Sequence, residues 1–172
     1  MAPGGSSSAS RSPSRRFRVD LDVAAAAREM RRRGARSVVL AGGSFGAMAS
    51  IAAGGSVRPS VDGVVPISPG VTFRGLDAEA AARRLNVPTL YVVAQEDAGF
   101  PDAARTLYDA TATQDKRLLV VSGFGHGSDV IALSAEARAA VDRFIDDHSR
   151  RTLRMRALAA GADDEAALRV RR

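Results

Sequence analysis

Apolar positions along this chain gather into four short unbroken runs: SVVLA from Ser37, GVVPIS from Gly63, TLYVVA from Thr89 and RLLVVS from Arg117. Their starts lie 26 to 28 residues apart. Unbroken apolar runs of this length fit parallel strands covered on both faces, whereas half-exposed strands alternate. Between them lie stretches of good helix formers, at about residues 44–53, 77–85 and 101–111, with a last one over 134–147. Ala137, Val141, Phe144 and Ile145 share one face of that last helix. An earlier helix is predicted over 23–33, with Asp22 as its N-cap and Gly34 as its stop. This alternation predicts an α/β domain, a mostly parallel sheet of about four strands with flanking helices and right-handed crossovers. Pro66 cannot donate to a strand ladder, so its strand should be bulged, displaced or at an edge.

Composition divides the chain into three parts. Residues 1–19 begin with a Ser/Gly/Pro/Arg-rich stretch that has almost nothing to bury and is expected to be disordered. Residues 20–149 form the domain. Residues 150–172 are a basic tail, helical or disordered, with only a weak apolar stripe at Leu153 and Leu158. The net charge of +6 invites a nucleic-acid reading, but its distribution argues against one. Residues 37–149 carry nine basic side chains against thirteen acids, so only the ends are basic, and no aromatics are interleaved there to stack on bases. The absence of cysteine excludes disulfides, thiolate metal sites and a cysteine nucleophile, and makes a cytoplasmic protein the simplest expectation. No apolar run approaches the roughly 20 residues a membrane helix needs.

The chemistry gathers where the strands end. After the first, Gly42-x-Ser44-x-Gly46 has the form of a nucleophile elbow: a strand, a sharp turn with serine at its tip, then a helix. The glycines are expected to be needed because Cβ atoms there would collide with the packed strand and helix. After the third strand comes Gln95-Glu96-Asp97-Ala98-Gly99-Phe100-Pro101, with Asp97 the candidate acid and Glu96 its nearest rival. After the fourth comes Gly123-Phe124-Gly125-His126-Gly127, with His126 the candidate base. Asp129 is a remoter acid candidate. His148 reads as a histidine ending a helix, favourable to the dipole there. A hydroxyl that attacks, a base that takes its proton and an acid that orients the base are what nucleophilic serine catalysis requires. The glycine turn could instead cradle a phosphate, but the dinucleotide fingerprint has a glycine where Ser44 stands. No Asp/Glu/His spacing suggests a metal site, and no cofactor is expected.

The chain order Ser44, Asp97, His126 is that of the α/β-hydrolases. Residues from about 20 to 148 resemble the C-terminal half of a serine α/β-hydrolase of the esterase, lipase and serine-aminopeptidase-like kind. The resemblance rests on the elbow segment SVVLAGGSFGAMAS, the strand VDGVVPISP, the acid loop YVVAQEDAGFP and the histidine loop VVSGFGHG. It implies Ser44 as nucleophile, Asp97 as acid, His126 as base and the Phe45 N–H as one oxyanion donor. It further implies a small ester, thioester or amide substrate, cleaved through an acyl-serine intermediate. Specificity is expected from residues 70–75 and from Phe100 and Phe124.

The departure from that family is also legible. Its elbow strand is flanked by further strands, and a loop after one of them gives the second oxyanion N–H. Only 36 residues precede the first apolar run here, so a truncated fold with a bare edge on the elbow strand is expected. That edge would be open to a second copy of the chain. The alternative expectation is a catalytically inactive fragment, or a binding module that a partner completes.

Overall fold

A computed structural model describes residues 18–170, with side-chain burial through residue 159. Most of the expected disordered N-terminus, residues 1–17, lies outside the described residues. The helix α1, Val19–Arg32, starts four residues before its predicted start at Val23. Asp22 is therefore not its N-cap; Asp20 and Asp22 both sit in the first turn, where carboxylates meet the positive end of the helix dipole. The Arg18 guanidinium, 3.0 Å away, holds the Asp20 carboxyl below its usual range.

The remaining elements follow in order: β1 Val39–Gly43, α2 Phe45–Ser56, β2 Gly63–Ile67, β3 Thr72–Phe73, β4 Leu76–Asp77, α3 Ala78–Ala82, β5 Thr89–Ala94, α4 Phe100–Ala110, β6 Lys116–Val121, α5 Ser128–Leu133 and α6 Ala135–Val170. Four strands make one parallel sheet in the order β1-β2-β5-β6. A separate two-stranded hairpin, β3-β4, projects from the segment after β2.

Hydrophobic cores lie on both faces. Leu40, Val64, Tyr91 and Leu107 belong to the core shared with α1–α4. Val65, Leu90, Val92 and Val121 belong to the one shared with α5 and α6. Every residue of β2 and β5 is buried, which is why both read as unbroken apolar runs. The outer strands differ. Among the described residues β1 pairs only with β2, and its Ala41 is exposed on the α6 side. β2 is an interior strand despite Pro66; its register with β5 keeps one offset, Val64 with Thr89 and Ile67 with Val92, and lapses between them. The proline therefore interrupts the ladder without a bulge. Burial pushes the Tyr91 hydroxyl up to about 12, and its 2.7 Å hydrogen bond to Thr111 ties β5 to the end of α4.

α6 does not stop near Asp147 as its apolar face predicts; it runs unbroken to Val170. Thr152 donates to Asp62 Oδ1 at 2.7 Å, which fastens the start of the basic tail beneath the sheet. Asp62 also accepts from the Val38 N–H at 2.7 Å and from Arg31 at 2.9 Å, so one carboxylate joins α1, β1 and α6. The Arg31 and Asp62 side chains are only 12% and 11% exposed. Asp62→Ala is expected to lower the unfolding free energy by about 3 kcal/mol, because it strands a largely buried guanidinium. Urea unfolding with an unchanged slope checks this, and a loss below 1 kcal/mol would contradict it.

Candidate active site

Ser44, Asp97 and His126 come one, three and five residues after β1, β5 and β6, all at the carboxyl end of the sheet. Ser44 sits between β1 and α2 with φ 53° and ψ −119°, a left-handed conformation that non-glycine residues rarely adopt. Its N–H continues the ladder by donating to the Ile67 carbonyl at 2.9 Å. Only part of the predicted steric demand on the glycines is found. A Cβ on Gly42 would lie 2.5 Å from the Gly46 carbonyl carbon and oxygen. One on Gly46 would meet nothing within 4 Å. Gly43 is constrained too: its Cβ would lie 3.0 Å from Gly127 Cα and Ser128 N, so the elbow backbone rests on the histidine loop.

Asp97 is nearly buried, and both its oxygens lie within hydrogen-bonding distance of His126 Nδ1, at 3.1 and 3.0 Å. A buried carboxylate can only accept, so it selects the tautomer in which Nδ1 carries the proton. The His126 side chain is 41% exposed, and Nε2 is its free nitrogen among the described residues. Phe100 lies against the imidazole with ring centroids 4.3 Å apart, covering one side of it. The rival acids are placed elsewhere. Glu96 and Asp129 are exposed, and among the described residues neither side chain is bonded to the histidine; Asp129 meets it only through its backbone N–H, which donates to the His126 carbonyl at 3.2 Å. Glu96 contributes through its backbone, donating N–H to the Gly123 carbonyl at 3.0 Å and so binding the acid loop to the histidine loop.

No hydrogen bond joins Ser44 Oγ to His126 among the described residues. Phe45 opens α2, and the first N–H groups of a helix have no intrahelical acceptor. The hairpin closes over this corner: Phe73 meets Phe45 edge-on at 5.5 Å, with the Arg74 guanidinium 5.2 Å from the Phe73 ring. Phe124 points away into solvent at 72% exposure and lines nothing at the triad. His148 is not a helix-terminal residue; it lies inside α6, bonded through Nδ1 to the Phe144 carbonyl at 2.8 Å and stacked on the Phe144 ring. Neither the hairpin nor α5 was legible beforehand, since strands of two residues and a helix of six leave no periodic signal.

The arrangement can place a hydroxyl, an oriented imidazole and a carboxylate at one edge of a sheet. No family sequence model and no curated protein sequence matches the chain. Solved structures do match. It is similar to an esterase from Pyrococcus furiosus, with TM-score 0.65 and 14% identity over 80% of this chain and 65% of that one. A monoacylglycerol lipase from Paleococcus ferrophilus gives TM-score 0.63 and 15% identity over 76% of each chain. The esterase domain of a Rhodothermus marinus protein gives TM-score 0.58 and 21% identity over 72% of this chain and 67% of that one. At such identities the likeness carries architecture alone: the chain has the α/β-hydrolase fold.

Proposed function

We propose that this protein is a serine hydrolase that cleaves a small ester, thioester or amide through an acyl-Ser44 intermediate. The observation that carries the reading is the Asp97–His126 pair, formed at the same sheet edge as the Ser44 elbow. His126 Nε2 takes the Ser44 hydroxyl proton as Oγ attacks the substrate carbonyl carbon. Apo-state catalytic hydrogen bonds are often long, and the Ser44–His126 bond would close with substrate in place. The tetrahedral oxyanion would accept from the Phe45 N–H. Collapse expels the leaving group, which takes the proton from Nε2, and leaves the acyl group on Oγ. Water then attacks, His126 accepts its proton and returns it to Ser44, and the carboxylic acid departs. Throughout, Asp97 accepts from Nδ1–H and stabilises the imidazolium.

Labelling by a fluorophosphonate tests this directly. The reading expects a stable adduct on the wild type and none on Ser44→Ala, and an unlabelled, folded wild type would end it. Asp97→Asn should keep the fold but slow acylation by about 10⁴-fold, because an amide can donate to Nδ1 and favour the wrong tautomer. A tenfold loss or less would remove Asp97 from the role.

A second reading is an inactive module that a partner completes. The observation favouring it is β1, whose outer edge has no paired strand among the described residues and whose Ala41 is exposed. An unlabelled wild type that acquires Ser44-dependent labelling only with an added partner would select it.

A further inference from the structure

We propose that Ser68 is a positioning residue for His126, acting through the backbone of Gly127; the inference rests on the serine-hydrolase reading above. Ser68 immediately follows β2, a strand that contributes no member of the triad. It is fully buried, and its φ of 48° places it in the left-handed region. Its N–H is used by the sheet, donating to the Val92 carbonyl at 2.9 Å. Its Oγ reaches across the top of the sheet and accepts from the Gly127 N–H at 3.0 Å.

Gly127 is a junction. It is covalently next to His126, it caps α5, and its backbone touches Gly43 of the elbow. Its φ of 57° and ψ of −124° nearly repeat those of Ser44, at 53° and −119°. Two sharp elbows of the same shape therefore face each other, one carrying the nucleophile and the other following the base. The N–H of the second has no helical acceptor, because it precedes the helix. Ser68 Oγ supplies that acceptor from inside the protein, where an unmet N–H is costly. The His126 main chain is thus held at both of its neighbours' ends of the loop: Glu96 bonds Gly123 on one side, and Ser68 bonds Gly127 on the other. Asp97 sets the rotation of the ring, and Ser68 sets the height of its Cα over the sheet.

The test uses Ser68→Ala and Ser68→Gly beside the wild type, each first shown to unfold cooperatively. Both remove the acceptor, but only glycine also relieves the left-handed backbone, so it serves if alanine does not fold. Fluorophosphonate labelling is followed across pH, and Gly127 amide exchange is followed by NMR. Both variants are expected to label about five- to tenfold more slowly, the rate equivalent of one neutral hydrogen bond. Their pH profiles should be displaced from the wild type's, and Gly127 exchange should be faster. Wild-type rates would overturn the proposal. So would a slower rate on an unmoved pH profile, which marks a purely structural role, or full activity in Ser68→Gly alone, which marks backbone strain. A wild type that labels no better than Ser44→Ala overturns the hydrolase reading instead. Exchange then decides the hydrogen bond alone: faster at Gly127 in both variants supports it, and unchanged exchange removes it.

Discussion

Ser44→Gly is expected to make the protein both more stable and chemically silent. Ser44 holds φ 53° and ψ −119°, a conformation costing about 1–3 kcal/mol for a residue with a Cβ. Glycine adopts it without that cost, although its freer unfolded chain returns up to about 1 kcal/mol of the gain. The net should be about 1 kcal/mol, or roughly 2–4 °C in melting temperature for a chain of this size. Fluorophosphonate labelling and ester turnover should fall by a factor on the order of 10⁶, since nothing replaces the hydroxyl. Ser44→Ala is the control, because it loses the hydroxyl while keeping the Cβ and hence the strain. Calorimetry showing the glycine variant no more stable than the alanine variant would dispose of strain at the elbow. Residual labelling in both would dispose of Ser44 as nucleophile.

The second large effect separates the two glycines of the elbow motif. Gly42→Ala is expected to destabilise by about 4 kcal/mol or more, at the top of the range for single substitutions. The new methyl would lie 2.5 Å from backbone atoms of Gly46, and backbone at the first turn of α2 cannot swing aside as a side chain can. Labelling should vanish with the fold. Gly46→Ala, four residues along the chain, should do the opposite. Its methyl meets nothing within 4 Å, and alanine is the better residue inside a helix by up to about 1 kcal/mol. Equal losses in denaturant unfolding would show that the elbow is packed differently.

These contrasts mark what could be read in advance. The strands, the turn at Ser44 and the loops that carry Asp97 and His126 were legible because a fully apolar run gives way to a polar or glycine-bearing turn at each, a strong local contrast. The preference for Asp97 over Glu96 could be drawn from position alone, while the burial that separates them comes from the packing of the loop. Ser68 was not legible, since one serine after one strand has no pattern around it and its partner is 59 residues away. The tail was expected as helix or disorder, and its continuity with α6 could not be read for a similar reason: the anchor at Thr152 is a contact with Asp62, 90 residues earlier. Gly46 misled in the other direction, because a motif records which residue is present without recording which atoms crowd it.

The order of the sheet has a consequence for assembly. In the four-stranded sheet, β2, β5 and β6 each lie beside the sheet strand that precedes them in the chain, counting the hairpin as an excursion. Each of these three strands, on emerging from the ribosome, therefore finds its neighbour already made, and the described sheet can grow in one direction from β1 without waiting for a distant segment. Ser44 is in place first and Asp97 arrives with β5. His126 comes only after β6, the last strand, has docked. On the proposed serine-hydrolase reading, the site would stay without its base until the sheet is finished, and reactivity at Ser44 would report completion of the fold.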